Sequence, residues 1–144
     1  VIEMDELCVR FSPALWLWVA VSRLTRTVLG FVIADRGDDA LRRLRDEELP
    51  PAWRGLPIKS DGWEAYQRLL PAHIHEVCSK QSGETSIVEA LNCKWRQRQS
   101  GMARKSCGVS RRILDDLTER FLILVDRHNR QCLARWERIT QSGP

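Results

Sequence analysis

Three acids stand where an apolar pattern would not place them, and their setting suits cation chemistry. Asp5 interrupts the β-forming run from Val1 to Phe11. Asp61 ends a short extended stretch and precedes Gly62, and Glu89 falls in the first turns of a helix. Carboxylates at close range repel one another and tend to hold their protons, a cost that a divalent cation removes. Mg²⁺ fits such an oxygen-rich site, and a pair of ions can serve both the attacking and the leaving oxygen of an in-line phosphoryl displacement. From Glu89, Asn92 and Arg96 follow at i+3 and i+7 and share its helical face. Asn92 suits orienting a carboxylate or a water, and Arg96 suits a bidentate hold on a phosphate oxygen. Further on, Arg104, Lys105, Arg111 and Arg112 surround a loop and a helix start, a setting that suits a phosphate backbone.

The elements that must position these residues follow from the pattern. Val1 to Phe11, Leu15 to Ser22 and Thr27 to Ala34 read as three strands joined by short turns, an antiparallel meander. Asp38 is expected to cap a helix running to about Glu48, ended by Pro50-Pro51. Pro57 to Ser60 is a short strand, Trp63 to Leu70 a short helix stopped by Pro71, and Ile74 to Ser79 a further strand. Gln81 to Glu84 is loop, and a helix follows from Thr85 to about Gln99. Ser110 is expected to cap a long last helix, with a stripe of Ile113, Leu117, Phe121, Leu124 and Val125 and with Trp136 as core packing. The order β-β-β-α-β-α-β-α-α predicts an α/β chain with a mixed five-stranded sheet, helices on both faces and an RNase H-like arrangement. The first and fourth strands are then neighbours, which would bring Asp5 and Asp61 together, with Glu89 crossing nearby.

The 144 residues are enough for one domain with a real core, expected to span 1–144, with the sheet and the first two acids in 1–80 and the helical, basic part in 85–140. Hydrophobic residues make up 43% and charged residues 29%, a globular balance that excludes a disordered chain. The apolar stretch from Ala14 to Val21 is too short to span a bilayer, and no signal peptide is visible, so the expected setting is the cytoplasm. Five scattered cysteines without a CxxC pair predict reduced thiols, with neither disulfides nor a zinc ribbon. Charge is uneven. Residues 1–93 carry 11 Lys and Arg against 14 Asp and Glu, whereas residues 94–144 carry 12 against 5. A basic last third beside a carboxylate-bearing first part points to a polyanionic partner, although helical arginines that merely solubilise a surface give the same count. The start at Val1 is expected of a piece of a longer protein.

Each candidate has a plainer competitor. Glu3 and Glu6 flank Asp5, and alternation sets Asp5 on the face opposite Glu6. Asp61 before a glycine is also a common turn residue. Glu84 competes with Glu89, which has Asn92 and Arg96 on its face. Trp63 reads as a packing residue that fixes the Asp61 turn. His73 and His75 point the same way on a strand, but without a third ligand they read as ordinary histidines, with Cys78 facing away from both.

In these segments the chain resembles bacterial insertion-sequence transposases of the IS-one type, whose acidic triad sits on an RNase H-like fold. The matching runs are Glu3-Met4-Asp5-Glu6, Ser60-Asp61-Gly62-Trp63 and Val88-Glu89-Ala90-Leu91-Asn92, continuing through Arg96-Gln97 to Ala103-Arg104-Lys105-Ser106; Val77-Cys78-Ser79-Lys80 is also similar. The resemblance runs in order from Glu3 to about Arg112. It implies DNA cleavage and strand transfer at transposon ends with two Mg²⁺ or Mn²⁺ ions on Asp5, Asp61 and Glu89, and a homodimer on DNA. Twenty-seven residues separate Asp61 from Glu89, and Gln81 to Glu84 reads as an insertion relative to the family. The family's upstream zinc-binding and helix-turn-helix region has no counterpart in these segments. The same acids would also serve an RNase H-like nuclease acting on hybrids or junctions, and a degenerate core acting as a DNA-binding module is the non-enzymatic alternative.

Overall fold

The structure is a computed structural model and describes residues 1–9, 15–99 and 111–142. Five strands form one mixed sheet in the order β3-β2-β1-β4-β5: β1 (Ile2–Cys8), β2 (Trp16–Ser22), β3 (Val28–Ala34), β4 (Ile58–Ser60) and β5 (His75–Val77). The first three form the expected antiparallel meander, and β4 and β5 add parallel to β1. The central pair reads Ile-Glu-Met-Asp-Glu-Leu-Cys and Trp-Leu-Trp-Val-Ala-Val-Ser, and both strands are buried on both faces. That is why β2 shows a continuous apolar run rather than alternation.

Each face carries its own core. On one, Ile2, Met4, Trp18 and Ala20 meet Leu41 and Leu44 and, from α2 (Glu64–Leu69), Ala65 and Tyr66. On the other, Leu7, Leu17, Val19 and Val21 meet Val88, Leu91 and Trp95 of α3 (Ser86–Gln99) and Leu117 and Phe121 of α4 (Arg111–Gln141). The sheet is therefore covered on both sides, as an RNase H-like fold requires. No helix among the described residues is long and apolar enough to cross a membrane.

Two details depart from expectation. The helix after β3 is α-helical only over α1 (Asp38–Arg43) and continues as a π-turn, Leu44–Glu48. Asp38 is its first helical residue rather than its cap. The cap position is Gly37, without a side-chain bond, and the Asp38 carboxylate pairs instead with Arg68 of α2. The wider turn, closed by Leu49 N–H donating to Leu44 O at 2.9 Å, buries Leu49 with Leu41 and Leu44 and leaves Glu48 outside. Gly30 of β3 permits it: a Cβ there would lie 2.8 Å from Glu48 O. The second departure is Trp136, which is half-buried and belongs to neither core. A helix of 31 residues is roughly 46 Å long, about twice the length of a seven-residue strand, so its last turns run on past the sheet. Beyond its packing on the sheet face, α4 also covers an edge: the Asn129 amide accepts from Val28 N–H (2.7 Å) and donates to Val28 O (2.9 Å), standing in for a missing strand.

Candidate active site

The parallel pairing of β1 with β4 sets Ile2 opposite Ile58 and Glu3 opposite Lys59. Continued past the end of β4, that register brings Asp61 beside Asp5. Asp61 leaves the sheet in a tight turn in which Trp63 N–H donates to its Oδ1 at 3.1 Å. The Trp63 ring lies 5.4 Å from Trp18 and 5.9 Å from Tyr66, so the turn is anchored on the aromatic core.

Glu89 arrives on α3, and a buried acid holds the start of that helix. Glu3 is fully buried on β1, and its Oε2 accepts from Ile87 N–H (3.0 Å) and Val88 N–H (2.9 Å), donors in the first turn of α3 that have no partner inside the helix. Burial raises the Glu3 carboxyl above its ordinary value, against the Val88 N–H and the Arg23 cation, which lower it. Replacing Glu3 by Ala is expected to destabilise the fold by about 1–3 kcal/mol, because two buried N–H groups lose their acceptor. Urea denaturation checks this, and an unchanged midpoint would remove Glu3 from the account of how α3 is held.

Along α3 the functional face then unfolds in order. Glu89 is exposed and its Oε1 accepts from the buried Thr85 hydroxyl at 2.7 Å. One turn on, Asn92 is buried and its Nδ2 donates to Asp5 Oδ2 at 2.7 Å, while its Oδ1 meets no hydrogen-bond partner. Arg96 is exposed on the next turn. Asp5, Asp61, Glu89, Asn92 and Arg96 line one cleft of about 370 Å³. The Asp5 carboxyl is pushed up to about 6. Its burial contributes most, the neighbouring Glu6 charge next, and Asp61 adds to both, while the Glu6 backbone N–H and Asn92 work the other way.

The competing acids are engaged elsewhere. Glu84 is paired with Lys59 and with Arg23 (3.1 Å). Glu6 does lie on the opposite face from the Asn92 contact, where its Oε1 accepts from Arg36 (2.6 Å) and its Oε2 from the Tyr66 hydroxyl (2.8 Å). His73 is exposed in the turn before β5, whereas the half-buried His75 bonds Ser60 Oγ at 2.8 Å, so no zinc pair forms. Arg104 and Lys105 lie outside the described residues, as do the side chains of Arg111 and Arg112, the first two residues of α4. Cys8, Cys78, Cys93 and Cys132 are free thiols, and Cys107 lies outside the described residues.

Sequence reasoning overlooked the other wall of the cleft, formed by Met4, Glu6, Trp16 and Arg36 with Thr85 beside Glu89. A signal was present. A central strand buried on both faces that carries Glu3, Asp5 and Glu6 must supply each acid with a partner, and Arg36 follows directly after β3.

The donor set fits a hard divalent cation. Three carboxylates converge on a polar cleft, one of them raised by its surroundings, and the orphaned Asn92 Oδ1 is a buried acceptor in need of a donor such as an ordered water. The one trio of His, Cys, Asp or Glu ligand atoms lying within 4.8 Å of one another among the described residues is a different one, Glu76, Cys78 and Glu84. There Lys59 is already paired with both acids, 3.2 Å from Glu76 and in direct contact with Glu84, and Arg23 adds a second cation at Glu84. Asp5, Asp61 and Glu89 share the cleft without drawing together that tightly.

A mixed sheet in this order, with helices on both faces, one acid midway along β1 and another just past the end of the parallel β4, places the chain among RNase H-like α/β proteins. Within that class, the family described as IS1 transposase matches residues 2–128, and the chain belongs to it. It is 30% identical over 98 residues to the insertion element IS1 protein InsB of Shigella flexneri, covering 68% of this chain and 71% of that protein. Against the IS1 4 protein InsB of Escherichia coli (strain K12) it is 29% identical over 98 residues, covering 68% of this chain and 56% of that protein. The match thus spans little more than half of the Escherichia coli relative.

Proposed function

We propose that residues 1–144 form a single catalytic unit of a DNA transposase, a metal-dependent polynucleotidyl transferase in which Asp5, Asp61 and Glu89 hold two Mg²⁺ or Mn²⁺ ions. The observation that carries this reading is the meeting of all three acids in one cleft, with Asn92 bridging α3 to Asp5. The bound ions would supply positive charge to the attacking and leaving oxygens of a phosphodiester. Hydrolysis breaks a P–O3′ bond and leaves a 3′-hydroxyl and a 5′-phosphate. That hydroxyl then attacks a target phosphodiester in line, forming a new P–O bond as the target's 3′-oxygen departs with a proton.

The protein's own work is positioning. The Trp63 N–H fixes one oxygen of Asp61, Thr85 fixes one of Glu89, and Asn92 orients Asp5. Arg96 supports the phosphate from α3, and Arg104, Lys105, Arg111 and Arg112, which follow it in a basic stretch of the sequence, are assigned to the DNA backbone. Joining two transposon ends suits a homodimer on DNA, and the setting for both is the cytoplasm.

The test is a crystal soaked in MnCl₂ with anomalous scattering. One or two peaks are expected within about 2.0–2.3 Å of oxygens of Asp5, Asp61 and Glu89. Peaks only at Glu76, Cys78 and Glu84 would overturn the assignment. Because Asp5 holds its proton up to about pH 6, Mn²⁺ affinity is expected to fall as the pH is lowered through that value. A titration at pH 5 and pH 8 reads the difference.

A further inference from the structure

Arg36 stands in the cleft in a form unlike an ordinary surface arginine. Its guanidinium carbon lies 4.3 Å from the ring centroid of Trp16 and 4.3 Å from that of Trp63, so the two indoles hold the charged plane between them. One edge is tied down, with Nη2 donating to Glu6 Oε1 at 2.6 Å. Glu6 is itself buried and fixed by the Tyr66 hydroxyl. The remaining donors, Nε and Nη1, meet no acceptor among the described residues, and the side chain is 41% exposed. Trp63 also supplies the N–H that fixes Asp61, so the element that holds Arg36 holds a candidate metal ligand too.

A lone counterion for Glu6 would not need stacking on two faces, nor a place on the cleft wall. A guanidinium held between two indoles, on the wall of a cleft that three acids also line, is preorganised for a planar or tetrahedral oxyanion. We infer that Arg36 is a phosphate-binding residue: it takes a non-bridging oxygen of the DNA backbone on the wall of the cleft across Asp5 from Arg96. The inference rests on the reading of this cleft as a DNA site and adds a second, independent grip on the strand. With Arg96 on the same cleft, the scissile phosphate meets two cationic donors, one of them already held in place, rather than being drawn in by the ions alone.

The experiment is duplex binding by fluorescence anisotropy in EDTA, where no cleavage occurs, over a series of NaCl concentrations. The R36Q protein is expected to bind roughly tenfold more weakly than the parent, and its plot of log affinity against log salt should flatten by about 0.9, the release of one counterion. R36K keeps the charge but loses the fork and the stacking. It should retain the parent's slope while binding several-fold more weakly. R68Q, which removes a partner of Asp38 rather than a cleft residue, serves as the control at parental affinity. If Arg36 serves only as the counterion of Glu6, R36Q lowers the melting temperature and leaves both slope and affinity unchanged, and the inference is overturned. Should R36Q fail to fold, R36K decides, and parental affinity in that protein overturns the inference equally. A parent that binds no duplex at any salt concentration removes the DNA reading itself, a failure distinguishable from the first.

Discussion

Asp61→Asn protein is expected to cut DNA at least about 1,000-fold more slowly than the parent while folding as well. The substitution keeps the shape of the side chain and keeps an oxygen able to accept from Trp63 N–H, so the turn after β4 survives. What it removes is one negative charge from the set that holds the cations. A thousandfold loss corresponds to about 4 kcal/mol of transition-state stabilisation, within what a misplaced or missing catalytic ion forfeits. Glu89→Gln should behave alike, since its tether to Thr85 needs only an acceptor oxygen. Glu84→Gln is the internal contrast. That carboxylate is spent on Lys59 and Arg23, away from the cleft, so cleavage should stay within a few-fold of the parent. Single-turnover cutting of a duplex carrying the element's end, in Mg²⁺ and with melting curves alongside, separates these cases. Cutting by the Asp61→Asn protein within tenfold of the parent would sink the triad.

Which parts of this site were legible in the sequence depended on how local their causes are. β2 and β3 were readable because they carry dense β-branched and aromatic runs, β1 showed only an imperfect alternation, and the order of the elements places β1 beside β4. Asp5, Asp61 and Glu89 stood out as acids in apolar surroundings. The π-turn at Leu44–Glu48 was not readable, because its cause is non-local: it depends on the absent side chain of Gly30 on a neighbouring strand. The same holds for Glu3, which read as a rival to Asp5 and instead binds the start of a helix more than eighty positions away. Arg36 gave no periodic signal at all. Its setting is made by Trp16, Trp63 and Glu6, which lie on three elements and meet only in the folded chain. Trp136 failed in the opposite direction: its stripe is regular, but the helix is longer than the sheet beneath it.

Asp5→Asn should abolish cleavage to the same degree and, without metal, make the protein more stable. The sign follows from the carboxyl's position at about 6, against an ordinary value of 3.8. The folded state binds this proton more tightly than the unfolded chain. The stability contributed by the neutral form is therefore fully present below pH 3.8, is lost as the pH rises through about 6, and stays lost above it. At neutral pH the ionised Asp5 thus works against folding, chiefly through its burial and the nearby charge of Glu6. The difference between the two values corresponds to about 3 kcal/mol at most, and water reaching the open cleft should reduce it to about 1–2 kcal/mol. An Asn at this position is neutral at every pH and can still accept from Asn92 Nδ2. In EDTA at neutral pH, its melting temperature should rise by roughly 3–8 °C. Added Mn²⁺ should then reverse the order, stabilising the parent through its carboxylates and leaving the variant unmoved. A variant that melts at or below the parent in EDTA would mean that Asp5 is not strained by its surroundings. Its charge would then be held in place by the fold rather than kept for a cation, and the electrostatic argument for a metal at β1 would go with it.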